Sequence, residues 1–101
     1  MAVVEITVAP LGTGSPSVST YVAECHRVLE AAEGINYELH AMGTIIEGDL
    51  DRLFEVMRAL HEVPFDAGAQ RVMSIIRIDD RRDKEISIAG KVRSVEEKLK
   101  N

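Results

Sequence analysis

Tyr37-Glu38-Leu39-His40-Ala41-Met42-Gly43-Thr44-Ile45-Ile46-Glu47-Gly48 reads as a β-hairpin, and its position between two helical patterns decides the architecture. From Ile35 to Ala41 the residues alternate: Tyr37, Leu39 and Ala41 take one side, Asn36, Glu38 and His40 the other. Met42-Gly43 fits a two-residue turn with Gly43 at positive φ. That register pairs Ala41 with Thr44 and Leu39 with Ile46. Thr44 and Ile46 then face inward, and Ile45 and Glu47 outward.

Upstream of the hairpin, Val18, Tyr21, Val22, Cys25, Val28, Leu29 and Ala32 recur at helical spacing, and Gly34 is placed to close the helix. Downstream, Asp49 stands as N-cap before a stripe of Leu50, Leu53, Phe54, Met57, Leu60 and His61. Pro64 ends or kinks this helix, with one more turn over Phe65 to Gly68. Outside the helices lie two more strands. Val3 to Ala9 puts Val4, Ile6 and Val8 on its apolar face. Arg71 to Asp79 puts Val72, Ser74, Ile76 and Ile78 on one face and Met73, Ile75 and Arg77 on the other. Ile88, Val92, Val95 and Leu99 predict a closing helix that Gly90 weakens, with a short strand over Glu85 to Ile88 as the alternative. The order β-α-β-β-α-β plus a helix is the split-βαβ, ferredoxin-like α+β arrangement: a four-stranded antiparallel sheet with two helices on one face, one domain spanning residues 1–101.

Composition narrows the function classes. The chain is 46% hydrophobic and 29% charged, as an ordered domain is. A net charge of −5 disfavours nucleic acid and anionic membrane surfaces as partners. No apolar run is long enough to span a bilayer, and Met1 to Glu5 lacks a basic signal-peptide region, so the expected location is cytoplasmic. Cys25 is the sole cysteine; it excludes an internal disulfide and falls on an apolar stripe as a packing residue. Its neighbour His26 points about 100° away around the helix, so the two do not form a nucleophile–base pair. His26, His40 and His61 lie on three elements at no metal-ligand spacing, and the expectation is neither metal, cofactor nor enzymatic activity.

Two places remain for a ligand. One is Pro10-Leu11-Gly12-Thr13-Gly14-Ser15-Pro16-Ser17-Val18-Ser19, where a strand hands over to a helix N-terminus. Unpaired N–H groups there suit a small polar or anionic group, or the stretch is a turn with Ser15 or Ser17 as N-cap. The other is the sheet face away from the two helices. It carries Val3, Glu5, Thr7, Ala9, Glu38, His40, Ile45, Glu47, Met73, Ile75 and Arg77. That mixture is too apolar for water alone and too polar for a dry core, which predicts sheet-against-sheet association with a second subunit. Glu5 and Arg77 are expected to pair across neighbouring strands. Glu5, Glu38 and Glu47 together suit a cationic ligand or an aminopyrimidine donor. The run Asp79 to Lys84 reads as a solvated strand exit, or as Arg81 and Arg82 clamping carboxylates across a subunit interface.

Three segments in order carry a family likeness: Pro10 to Thr13 with Ser17 to Val22, Tyr37 to Gly48, and Ile78 to Asp83. Together they resemble the small thiamine-binding-protein family. The resemblance implies a ferredoxin-like fold assembled through its sheets into dimers and tetramers. It also implies non-enzymatic binding of thiamine or its hydroxymethylpyrimidine part, for storage, sensing or trafficking. Carried over by motif, Ser17, Ser19, Thr44 and Glu47 are implied as ligand-binding residues, and the open face adds Glu5 and His40. Pro64 departs from the family pattern of a continuing helix. The competing reading is a regulatory or scaffolding module that assembles through the same face and takes no vitamin.

Overall fold

The computed structural model describes residues 1–12, 14 and 19–100. Its elements are β1 (Ala2–Pro10), α1 (Ser19–Ala31), β2 (Ile35–His40), β3 (Gly43–Gly48), α2 (Leu50–Asp66), β4 (Val72–Asp80) and α3 (Ile88–Leu99). The strands form an antiparallel sheet in the order β2-β3-β1-β4, the ferredoxin-like topology. No helix is long and apolar enough to cross a membrane among the described residues.

Alternation in β1 buries Ala2, Val4 and Ile6 against α1 and α2, together with Ile46 of β3. Leu29 is the deeply buried residue of α1, and Gly34 ends the helix's exit segment at φ +81, a conformation that favours glycine. In α2 the core face is Leu53, Val56, Met57, Leu60, Val63 and Pro64. Phe54, expected on that stripe, is 51% exposed. The stripe is turned by about one residue position, because the sheet meets the Val56 and Val63 side of the helix. Asp49 occupies the N-cap position without a side-chain cap; its carbonyl accepts from Leu53 N–H at 2.9 Å. Pro64 lies inside α2, which continues to Asp66. A proline at this position leaves the Leu60 carbonyl without its helical donor. The Cys25 thiol of α1 approaches that carbonyl at 4.0 Å.

The hairpin differs from its expected register. His40 pairs with Gly43 and Leu39 with Thr44, so Ala41-Met42 is the turn and Gly43 opens β3. The shift is two residues, and a shift of two preserves side-chain parity, so Thr44 and Ile46 still face the helices. Glycine is needed at position 43 for space. A Cβ there would lie 2.9 Å from Thr7 Oγ1 and 3.2 Å from the Ile6 carbonyl. Thr7 Oγ1 also donates to the Met42 carbonyl at 3.1 Å, tying the turn to β1.

α3 is a helix from Ile88, and the alternative short strand does not form. Ser87 is its N-cap, with Oγ accepting from Gly90 N–H at 2.9 Å, so Gly90 stands in the first turn where the cap presses closest. The helix sits on the sheet face opposite α1 and α2. Its first turn touches Glu47 and Lys91 pairs with Asp79, covering the end of that face near Val3. From Lys91 to Lys100 every residue is exposed.

Candidate functional site

Thr44 faces the helix side of the sheet and lines a cleft of about 500 Å³ between α1 and the hairpin. Ile6 and Val8 from β1, Val22, Cys25 and Leu29 from α1, and Leu39 from β2 make its walls mainly apolar. Tyr21, His26, His40 and Thr44 bring polar groups to the same lining. An apolar cavity of this size with a few polar groups is the usual form of a small-molecule site, for which volumes run roughly 300–1,000 Å³.

Both histidines of the cleft carry a carboxylate behind them. His26 Nε2 lies 2.9 Å from Glu30 Oε1, and His40 Nε2 lies 3.4 Å from Glu38 Oε2. His26 stacks edge-on to Tyr37, ring centroids 5.5 Å apart. Its Nδ1 is buried and has no hydrogen-bond partner among the described residues. With Nε2–H directed at Glu30, Nδ1 is left as an acceptor. Helical spacing alone does not place His26 beside a cleft, because the cleft is made by β1, β2 and α1 together. The i,i+4 spacing of His26 and Glu30 was the available clue. Burial pushes the half-buried Cys25 thiol up, and Glu24 adds to the effect, so the thiol stays protonated near neutral pH.

The other candidate residues are divided between the two sides of the sheet. Glu47 is 9% exposed on the opposite face, where Oε2 accepts from the Ile88 N–H at 2.5 Å and Oε1 accepts from Asn36 Nδ2 at 3.1 Å. A carboxylate at a helix N-terminus is favourably placed. Glu5, also on that face, accepts from Arg77 Nε at 2.9 Å and Nη2 at 2.6 Å, the pairing expected from the strand order. The three acidic residues do share a face, but Glu5, Glu38 and Glu47 each have a partner there. Ser19 opens α1, the wall of the cleft; Ser17, Ser15 and most of the strand-to-helix loop lie outside the described residues. Arg81 pairs with Asp83 and Arg82 with Asp80 within their own loop, holding both carboxyls below the usual carboxylate range. His61, expected to be a packed residue, hydrogen-bonds Ser74 Oγ at 2.6 Å and meets the Phe65 ring. No cluster of potential metal ligands occurs among the described residues.

Sheet order and cleft together define a small ferredoxin-like protein with a ligand-sized hollow under its first helix. A family profile described as "Thiamine-binding protein" matches residues 4–96, and the chain belongs to that family. It is 50% identical over 102 residues to the UPF0045 protein YqgV of Bacillus subtilis, covering 98% of each chain. Among solved structures, the protein MJ1052 of Methanocaldococcus jannaschii superposes with a TM-score of 0.85 at 36% identity, over 95% of this chain and 96% of that one. A proposed thiamine biosynthesis or salvage protein of Thermotoga maritima shares the fold, with a TM-score of 0.74 at 20% identity over 93% and 97% of the two chains.

Proposed function

We propose that this protein binds thiamine, or its hydroxymethylpyrimidine part, reversibly and without chemistry, as a self-associating protein that stores, senses or carries the ligand. The cleft between α1 and the hairpin carries the reading: it is ligand-sized, largely apolar, and lies in a chain of the thiamine-binding family. The flat pyrimidine packs against Val22, Leu29 and Leu39. The exocyclic amine donates to His26 Nδ1, the Thr44 hydroxyl donates to a ring nitrogen, and His40 closes the hairpin end. Glu30, behind His26, offsets the thiazolium charge. Ser17 and Ser19, implied by the family motif, complete the proposed polar set; Ser17 lies outside the described residues. Glu5 and Glu47 then serve the fold, through Arg77 and α3.

Calorimetric titration with thiamine and with hydroxymethylpyrimidine tests this. Binding heat is expected from wild type, with Thr44→Val and His26→Ala weakened about tenfold each, near 1.4 kcal/mol, as for loss of one buried hydrogen bond. Absence of heat from wild type at millimolar ligand rejects the proposal and favours a scaffolding module. If Glu5→Gln abolishes binding and Thr44→Val does not, the ligand sits on the opposite sheet face and the cleft assignment is wrong.

A further inference from the structure

Charge is distributed unevenly along the chain. Residues 1–48, which make β1, α1, β2 and β3, hold six glutamates and one basic residue, Arg27. Residues 49–101 hold eleven acidic and eleven basic residues and balance. The whole net charge of −5 therefore belongs to the part that supplies all the described lining of the cleft except Leu60. Arg27 is outside that lining; it pairs with Glu24, and its side chain is 70% exposed. No lysine or arginine lines the cleft among the described residues, and residues 12–19, which lead into its α1 wall, contain none. Glu30 stands 2.9 Å behind His26 Nε2. The Cys25 thiol is pushed up by burial and then by Glu24, the direction that negative surroundings give. Beyond Tyr21, which also lines the cleft, an adjoining hollow reaches Arg71.

We propose that the cleft sits at negative potential and thereby selects the free alcohol form of its ligand, cationic or neutral, over the phosphate ester. The identity of the ligand rests on the reading above; the sign of the cleft does not. A phosphate monoester carries about −1.5 to −2 charges at pH 7. Entering the cleft, it gives up water and meets hydroxyls and imidazoles but no lysine or arginine, with a carboxylate behind one wall. Its charge goes uncompensated, and the surrounding field opposes it. Thiamine brings a positive charge and hydroxymethylpyrimidine none, so neither meets that penalty. Both carry a primary hydroxyl. Phosphoryl transfer from a nucleoside triphosphate to that oxygen breaks the bond to the departing diphosphate and sends the hydroxyl proton to water. The product is an ester that the cleft no longer holds. The class of reaction that draws on the bound ligand is therefore phosphorylation of an alcohol, and esterification itself prevents its return.

One test is calorimetric titration of the intact protein with thiamine and with thiamine monophosphate at low and high salt. The ester is expected to bind at least about tenfold more weakly at low salt, with the gap narrowing as salt rises. Glu30→Gln, at a 59% exposed side chain, also narrows it. A second test needs no ligand: Cys25 is alkylated with neutral iodoacetamide and with anionic iodoacetate, each rate divided by that of 2-mercaptoethanol. The neutral reagent is expected to be favoured about fivefold at low salt and less at high salt. Equal or tighter binding of the monophosphate overturns the selectivity, and its loss in Arg71→Gln would place the phosphate in the hollow beyond Tyr21. Equal normalised alkylation rates overturn the negative potential. Skewed alkylation without thiamine heat keeps the anionic cleft and removes the ligand reading; thiamine heat with level alkylation does the reverse.

Discussion

Glu47 shows how one side chain is read differently once its neighbours are known. In the sequence it is an acidic residue on an outward strand position, and a cationic ligand is a reasonable partner for it. In the fold it accepts from Ile88 N–H and Asn36 Nδ2, so its carboxylate holds the start of α3 on the sheet. Removing it takes the acceptor from the half-buried Ile88 N–H and from the exposed Asn36 amide. Glu47→Ala is therefore expected to cost about 1–3 kcal/mol in urea unfolding and to raise hydrogen exchange at Ile88. Glu47→Gln, which keeps an acceptor oxygen, is expected to cost less. Undiminished protection at Ile88 in the alanine variant would refute the anchoring role. His26 is the opposite case: the residue is plain in the sequence, and its meaning comes from an orphaned Nδ1 beside a cleft that only packing creates.

At the scale of elements, periodicity located all seven, and local chemistry set most of their ends. The misreadings share a cause. The hairpin slid by two residues because Gly43 is needed beside Thr7, a contact from β1 that lies 36 positions away in the chain. The α2 stripe turned because the sheet, not the helix, decides which of several apolar residues is covered; Phe54 lost that competition to Val56 and Val63. Gly43→Ala follows from the first point. Its methyl group would stand 2.9 Å from Thr7 Oγ1 and 3.2 Å from backbone, so a loss of about 1–3 kcal/mol in urea unfolding is expected. A neutral result would mean that the turn relaxes away from β1 at no cost.

For the molecule as a whole, the cleft proposed for the ligand runs from the helix side of the sheet past the end of the hairpin to Thr7, Ala9 and His40 of the uncovered face, so the proposed ligand binding and the proposed self-association would meet at one edge of the sheet. Cys25 offers a reporter for the first. Its thiol lines the cleft and is pushed up by burial, so alkylation at pH 7 is expected to be slow, slower again with saturating thiamine, and fast after unfolding. Thiamine at about 100 times its Kd is expected to add about 2.7 kcal/mol to stability, seen as a raised Tm. Unchanged alkylation and Tm at that concentration would place the ligand elsewhere or nowhere.

The amino-acid sequence by itself determined the order of strands and helices, the split-βαβ topology, the parity of every strand and the family. All of these follow from local periodicity, turn residues and ordered motifs. Tertiary structure alone decided that Thr44 and Glu47, three residues apart, serve opposite sides of the sheet, that α3 crosses to the uncovered face, and that a cleft opens under α1. The physical reason is that a cavity and a buried carboxylate's partners are made by groups distant in the chain, and such contacts leave no mark in the spacing of nearby residues.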